Sequence, residues 1–439
     1  MRDLLLLSMI LWITWRAFKH PWVGVMGWTW ISIMNPHQLS WWLHSMPVAA
    51  AIGGATLLGL FITKDRRDFS LSREGKTLAV FMAWITITLP FSMIFDPSYE
   101  LWKRVMKIDL MVLVALVVLH SKRHVMLFVW INVISIAFFG VKGGMFTVAT
   151  GGSYKVWGPE STYIEGNNEI ALAAVMVIPL MRFLQLQMEK KWARLTMGFC
   201  MVMMAAAALG SHSRGALLAI SAMGLVLWWR GKNKLVMALG MLVIGAALLS
   251  LMPAEWWERM GTIKSYDQDG SALGRINAWW MAWNLAKSNL FGGGFFIWTA
   301  SVFADYAPDP TDVHAAHSIY FMVLGEQGFI GMFIFLTLFG FAYHSAGRLR
   351  EDARRQPESQ WLEELGNMLQ VGFVGYAVGG AFLSLSYWDL PYNMMIMAVV
   401  GRRWLAEKAW LREKPEPLVV LPPFLQRWFR KKPAAVPLP

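Results

Sequence analysis

Charged side chains, cysteine and nucleotide-binding motifs are scarce or missing in this sequence. Asp, Glu, Lys and Arg make up only 15% of its 439 residues, whereas soluble proteins carry about 25%. Cys200 is the only cysteine and lies inside an apolar run, which argues against disulfides, thiolate metal sites and a catalytic cysteine. The sequence has no Walker motif, no dinucleotide fingerprint and no HExxH, so the common nucleotide- and zinc-dependent chemistries have no signature here.

Acidic residues are outnumbered, with 28 Asp and Glu against 40 Lys and Arg, which leaves a net charge of +12. In a soluble protein this excess would suggest nucleic acid as a partner. Here much of the positive charge lies in short loops between apolar runs, where Lys and Arg report the orientation of membrane spans. We therefore expect membrane lipids around this protein and no nucleic-acid partner.

Hydrophobic residues make up 56% of the chain, and its mean hydropathy is +0.43. Apolar runs of membrane-spanning length recur throughout, which predicts one all-α polytopic membrane protein with about 12 to 13 transmembrane helices. The first run has no small-residue cleavage site, so we expect no removable signal peptide. The predicted spans are 4–18, 22–34, 47–62, 78–94, 101–119, 125–139, 170–186, 195–209, 215–229, 235–251, 318–343, 368–385 and 394–405.

Loop charge predicts the orientation of these spans. Every second loop from residue 64 onward is rich in Lys and Arg, which places that set in the cytoplasm and the complementary set outside. The choice between 12 and 13 spans leaves the side of the N-terminus open. The basic loops are 64–76, 121–124, 189–194, 230–234, 347–355 and the tail from 402 onward, and the outward set is 96–100, 140–169, 210–214, 253–317 and 386–393.

This pattern predicts four parts: N-terminal transmembrane helices over 1–252, a large periplasmic loop over 253–317, C-terminal transmembrane helices over 318–406 and a cytoplasmic tail over 407–439. The long loop holds amphipathic stretches at 254–260 and 275–290, so we expect it to be partly helical. The tail combines prolines with basic residues, which is typical of a loosely ordered segment.

Three ionisable residues stand at the outward ends of spans or in the long loop. Arg214, within Ser211-His212-Ser213-Arg214-Gly215, begins a span where backbone N–H groups and the helix dipole suit a phosphate; alternatively, a serine caps the helix while Arg214 reaches lipid headgroups. Arg275 lies in the long loop, where it could simply be a solvated helix face. His317 ends that loop; histidine suits proton transfer near neutral pH, although a histidine at an interface can also be merely tolerated.

A basic cluster lies at the outward end of another span, against the positive-inside trend. Lys103, Arg104 and Lys107 are spaced so that one helix face can carry much of the charge. Basic residues in membrane segments are costly and point to an anionic partner. That partner is either a lipid headgroup or a lipid-linked pyrophosphate, so we include the cluster among candidate substrate-binding residues.

His314 and His317 also form an H-x-x-H pair with aspartates upstream. A metal site would need a third ligand and a fixed geometry. The neighbouring Pro308 and Pro310 favour a loop over a built site. We therefore expect no metal site. The upstream aspartates are Asp305, Asp309 and Asp312.

Taken in order, these motifs resemble the O-antigen ligase and polymerase superfamily. The resemblance rests on the Ser-Arg-Gly at 213–215, the arginine in the long loop, His317-Ser318-Ile319-Tyr320 with the glycine-rich run 325–331, and Gly166-Asn167-Asn168-Glu169. The first third, with Asn35-Pro36-His37-Gln38-Leu39, is similar to the branch of O-glycosylation ligases associated with exosortase systems. The match covers nearly the whole chain.

The resemblance implies a glycosyltransferase of the GT-C type in the bacterial inner membrane, with its active site facing the periplasm. Such ligases transfer a glycan from undecaprenyl pyrophosphate to lipid A–core in lipopolysaccharide biosynthesis, with inversion and without metal or other cofactor. Carried over by motif, Arg214 and Arg275 hold the pyrophosphate and His317 is the base. The basic cluster receives no role from the resemblance.

Three other functions stay open. An O-antigen polymerase or a protein O-oligosaccharyltransferase would use the same donor with a different acceptor. A transporter of lipid-linked glycans would more naturally carry charges near the bilayer midplane or paired broken helices. The ionisable residues singled out above lie toward one face of the membrane instead, which favours an enzyme.

Overall fold

The computed structural model describes residues 2–65, 67–231, 233–261 and 270–413, and within these ranges the chain folds into sixteen α-helices. Short 3-10 helices occupy Pro36–Leu39, Leu89–Phe91, Pro357–Ser359 and Ala409–Leu411. The tail predicted for 407–439 lies mostly outside the described residues. The α-helices are α1 Arg2–Lys19, α2 Pro21–Met34, α3 Val48–Ile62, α4 Arg73–Thr88, α5 Phe95–Val118, α6 Lys122–Ala149, α7 Asn167–Leu186, α8 Lys191–Gly210, α9 Arg214–Arg230, α10 Lys234–Leu249, α11 Ala254–Gly261, α12 Gly270–Ser288, α13 Ala300–Tyr306, α14 Ile319–Ala353, α15 Gln360–Gly380 and α16 Asp389–Ala406.

Each predicted apolar run contains one of these helices, which confirms an all-α polytopic membrane fold. By length and composition alone, α6, α7, α8 and α14 can cross a membrane, and the count becomes five if α10 and α11, bent by 116°, form one span. The remaining apolar helices are mostly shorter than the 18 residues of that criterion, and α5 carries too many charges. The larger count of 12 to 13 stays a prediction.

The centre of the bundle is built where α7, α15 and α16 meet. These helices bury most of their length, and 72% of the apolar window of α7 is enclosed by protein. Glycines on α15 allow this close approach, because a Cβ on Gly379 would lie 2.4 Å from a Leu172 methyl and one on Gly372 would lie 2.5 Å from the Met394 methyl. Close backbone approach is how helices associate where no water drives them together.

The predicted basic loops meet at one end of the bundle, which we call the basic end. There His20 Nδ1 donates to Asp65 at 2.8 Å and the Asp68 backbone N–H donates to Val117 at 3.0 Å. The turn between α1 and α2 therefore lies at the basic end, so α1 begins at the opposite one. Relative to the basic loops, this contact fixes the end of the bundle at which α1 begins.

The complementary loops meet at the opposite end, which we call the outer end. The Met93 backbone N–H donates to Gly293 at 2.9 Å, and Asn167 Nδ2 donates to the Ser211 carbonyl at 2.7 Å. The alternation predicted from loop charge is thus present in the three-dimensional contacts. The segments predicted as amphipathic lie here as α11 and α12, which confirms that the long loop is partly helical.

A break in α14 anchors the long loop to the bundle. Gly328 has φ 68° and ψ −175° inside the helix, a conformation essentially restricted to glycine. The freed carbonyls of Gly325 and Glu326 accept backbone hydrogen bonds from Gly293 and Gly294 at 2.9 and 3.0 Å. The loop therefore docks directly on helix backbone, two turns below the end of α14 that carries His317.

Candidate active site

Arg214 is the first residue of α9 and lies half-buried at the outer end. The preceding Ser213 caps the helix, since its Oγ accepts from the Ala216 backbone N–H at 3.2 Å. The cap predicted as one alternative for this motif is therefore present. It does not compete with an anion site, because a capped N-terminus keeps its positive dipole end and Arg214 adds a full charge beside it.

The turn before Arg214 is held by contacts from three sides. His212 has a left-handed φ of 58°, and its Nε2 donates to the Gly152 carbonyl at 2.8 Å. Arg259 of α11 donates to the His212 carbonyl at 3.0 Å, and Asn167 donates to the Ser211 carbonyl. The start of α9 is therefore fixed to α7 and to the long loop.

Arg275 lies half-buried on α12. Gly274, immediately before it, faces the imidazole of His314, because a Cβ there would lie 2.5 Å from Nδ1. The Glu169 carboxylate on the first turn of α7 lies within electrostatic reach of Arg275. Since Asn167 on that same turn binds the Ser211-to-Arg214 motif, α7 links the two arginine-bearing helices.

His317 lies beside Arg275, two residues before α14. Its backbone is left-handed, with φ 41°, and Trp279 of α12 donates to the adjacent Ala316 carbonyl at 2.7 Å. Burial lowers the pKa of His317 to about 4, and the positive charge of Arg275 and then His314 act in the same direction. The imidazole is therefore neutral at neutral pH and can accept a proton.

His314 is engaged by the loop around it. Its Nδ1 lies 2.7 Å from Asp312, and Asn277 Nδ2 donates to the Asp309 and Asp312 carbonyls at 2.8 and 2.9 Å. Across the described ranges, no three His, Cys, Asp or Glu side chains are grouped so that they could hold a metal ion. The aspartates and His314 therefore organise the loop that carries His317.

The basic cluster is tied to its own surroundings. Lys103 Nζ contacts Glu100 at 2.7 Å, the Arg104 guanidinium lies 4.2 Å from the Tyr163 ring centroid, and Lys107 is exposed. The Phe296 backbone N–H donates to Ser98 at 3.1 Å, so the same helix contacts the long loop. The structure brings Arg275 and His317 together, and it places Arg104 of the basic cluster against Tyr163.

Sequence reasoning assigned no role to three residues that organise this site. Glu169 appeared within a motif, His212 within the Ser-Arg-Gly segment, and Tyr163 not at all. Glu169 could have been predicted as a site residue, because a carboxylate at the outward start of an apolar helix is unusual. The contacts of His212 and Tyr163 are tertiary and left no local signal.

An apolar groove begins at Ile319, two residues after His317, and runs along an exposed side of α14 and α15. Its volume is about 250 Å³, and Leu336 and Tyr343 are among its exposed apolar side chains. It is lined by Ile319, Tyr320, Phe335, Leu336, Phe339, Gly340, Tyr343, Phe373, Val374, Tyr376 and Ala377. The groove therefore follows α14 from the start of that helix at the outer end as far as Tyr343.

These features define a polytopic membrane protein with arginine and histidine gathered at helix ends under a partly helical loop. Residues 199–336 match the family model described as O-antigen ligase, and this region contains Arg214, Arg275 and His317. This match supports membership of the O-antigen ligase and polymerase superfamily. Residues 1–189 match a family of unknown function, DUF5935. No curated protein matches the chain.

The match over residues 199–336 confirms the resemblance found in the motifs. It supports an enzyme of O-antigen ligase or polymerase type that acts in a membrane on lipid-linked glycan. The family match ends at residue 336, just beyond the helix break at Gly328. The matched region therefore includes the long loop and the point where that loop docks on α14.

Proposed function

We propose that this protein is an O-antigen ligase, which transfers a glycan from undecaprenyl pyrophosphate to lipid A–core at the periplasmic face of the inner membrane. The observation that carries the proposal is the pairing of a neutral His317 with the cationic Arg275 at the outer end. A base and an anion-binding group within reach of one another are what this transfer needs. The reaction inverts the anomeric carbon and proceeds without a metal ion.

Arg275 and Arg214 bind the pyrophosphate of the donor. Guanidinium groups match phosphate oxygens with two parallel hydrogen bonds, and the N-terminus of α9 adds its dipole. The groove beside His317 holds part of the polyprenyl chain, because it is apolar and opens to lipid. The hydrophobic tail and the charged head of the donor then have adjoining sites.

His317 removes the proton from the acceptor hydroxyl. The resulting oxygen attacks C1 of the donor glycan, and the bond from C1 to the pyrophosphate oxygen breaks with its electrons on the leaving group. Undecaprenyl pyrophosphate departs with increased negative charge, which Arg214 and Arg275 stabilise. Such electrostatic stabilisation contributes about 3–4 kcal/mol per donor group.

The basic cluster binds the anionic acceptor. Lys107 and Arg104 are exposed at the outer end of α5, while Lys103 keeps Glu100 as a neighbour. Anionic groups on lipid A–core suit such a face. The first turn of the same helix contacts the long loop, since the Phe296 backbone N–H donates to Ser98.

Glycan transfer by purified protein tests the proposal. Wild type and His317→Ala are incubated with undecaprenyl-pyrophosphate glycan and lipid A–core in EDTA. We expect transfer by wild type alone, with the variant folded and inactive. Transfer to a second lipid-linked glycan or to a protein hydroxyl, and none to lipid A–core, would instead identify a polymerase or a protein glycosyltransferase.

A further inference from the structure

A second polar cavity lies at the basic end, on the side of the bundle opposite His317. Its volume is about 960 Å³, at the upper end of the ~300–1,000 Å³ typical of ligand sites. The turn between α1 and α2, the start of α6 and the end of α16 surround it. Neither the base nor the pyrophosphate-binding arginines of the proposed transfer reach this cavity, so it needs its own explanation.

Cations line this cavity, and Lys122 among them is exposed. Arg16, Lys122 and Arg123 line it together with three histidines, His20, His120 and His124. Indole rings complete the wall, and Trp22 lies against the His124 ring with centroids 4.7 Å apart. The result is a pocket with positive groups set among aromatic faces.

The carboxylates at the same site are largely committed to other groups. Asp65 accepts from His20 at 2.8 Å, and Glu413 accepts from the Lys122 backbone N–H at 3.2 Å. Glu358 is exposed on the rim, and Arg412, also on the rim, contacts Glu407. Three cations, Arg16, Lys122 and Arg123, therefore face three carboxylates, two of which already accept a hydrogen bond.

Arg16 gives the most specific signal. Its Nε is buried and has no hydrogen-bond partner among the described residues. A buried N–H without an acceptor costs about 1–3 kcal/mol, so such groups are rare unless something else supplies the acceptor. A ligand oxygen in the cavity would satisfy it.

The start of α6 gives an independent signal. The Glu413 carboxylate bonds the Lys122 N–H at the N-terminus of this helix, next to the Ser121 side chain that caps the His124 N–H. An anionic oxygen thus already lies where the helix dipole favours negative charge. The Glu413 carboxylate therefore occupies this helix N-terminus at the wall of the cavity.

We propose that this cavity binds a phosphate-bearing anion, with the Arg16 guanidinium and the Lys122 ammonium as its principal ligands beside the N-terminus of α6. Phosphate fits both because its several oxygens can accept from a guanidinium and an ammonium at once. The phosphate belongs either to an acidic lipid headgroup of the inner leaflet or to a soluble phosphorylated compound. The site is separate from the proposed transfer reaction.

Thermal unfolding of the purified full-length protein, followed by tryptophan fluorescence, tests this site. Inorganic pyrophosphate is titrated in phosphatidylcholine nanodiscs, and the melting temperature is compared in nanodiscs with and without phosphatidylglycerol. The variants are Arg16→Gln and Lys122→Gln, with Lys190→Gln as a control that removes an exposed charge from the same end. Arg275→Ala reports any pyrophosphate bound at the outer end.

We expect one of the two anions to raise the melting temperature of wild type, Lys190→Gln and Arg275→Ala, and to bind at least tenfold more weakly to Arg16→Gln and Lys122→Gln. Stabilisation by pyrophosphate identifies a soluble ligand, and stabilisation by phosphatidylglycerol alone identifies a lipid headgroup. Arg16→Gln without ligand should be no less stable than wild type, because it removes an unsatisfied buried group. The proposal is wrong if neither anion stabilises the protein, or if the response of both cavity variants equals that of Lys190→Gln.

Discussion

The two ends of the bundle both gather arginine and histidine, but they hold them in different ways. At the outer end, His317 and His212 have left-handed backbones and are fixed by a loop that docks on the broken α14. At the basic end, His20 and Lys122 belong to ordinary helix starts and turns. Strained, over-determined backbone is typical of sites where atoms must be positioned for chemistry. The comparison therefore supports our proposals of chemistry at the outer end and of ligand binding at the basic end.

The largest effect should follow the loss of the base. Replacing His317 by Ala should lower the rate of glycan transfer by about a hundred- to ten-thousandfold, with the melting temperature little changed. His44→Ala is the matched control, because His44 is an exposed histidine in the outer-end loop between α2 and α3. Equal rates for the two variants would make His317 a structural residue and would remove the distinction between the ends.

Arginine loss at the outer end should have the next largest effect. Arg275→Gln removes a donor to the leaving pyrophosphate, so kcat should fall by about a hundred- to a thousandfold. Arg16→Gln, which removes a guanidinium from the basic end, should leave kcat within a few-fold of wild type. Steady-state kinetics on both proteins measures the contrast, and similar losses from both would show that the two ends act as one site.

The pH profile sharpens the same contrast. His317 must be neutral to act, and its pKa is lowered to about 4 by burial and by Arg275. Transfer by wild type should therefore be constant from neutral pH down to about 5 and fall as the pH passes through 4. In Arg275→Gln the residual activity should be lost at a higher pH, because removing the positive charge raises the pKa of His317 toward its ordinary value. If the acidic limb of the pH profile lies at the same pH in Arg275→Gln as in wild type, Arg275 does not influence the pKa of His317.

The melting temperature should be sensitive to substitution at Gly328, where the long loop contacts α14. Gly328→Ala forces a Cβ to within 2.4 Å of the Leu290 carbonyl oxygen at φ 68°, and the conformation alone costs about 1–3 kcal/mol. The melting temperature should drop and transfer should fall with it. Gly340→Ala, on the same helix with nothing within 4 Å of the added methyl, should leave the melting temperature unchanged.

Much of this architecture could be predicted from local pattern. Hydropathy placed the helices, and loop charge separated the two ends, because both depend on residues close in the chain. The proximity of Glu169 to Arg275 and the docking of Gly293 on Gly325 could not be predicted, since they join segments far apart in sequence. The cavity at the basic end could not be predicted for the same reason, because Arg16, Lys122 and Glu413 come from three distant segments.

The smallest effect should come from the hydrogen bond that joins α7 to the start of α9. Asn167→Ala leaves the Ser211 carbonyl without its 2.7 Å donor, which costs about 1–3 kcal/mol for a buried group. Because the carbonyl belongs to the turn before Arg214, the variant should raise the KM for the donor several-fold while kcat changes less. Asn168→Ala, one position along, is the control. A fall in kcat with an unchanged KM would mean that this turn acts on the transition state, and Arg214 would then belong to the chemistry more than to donor binding.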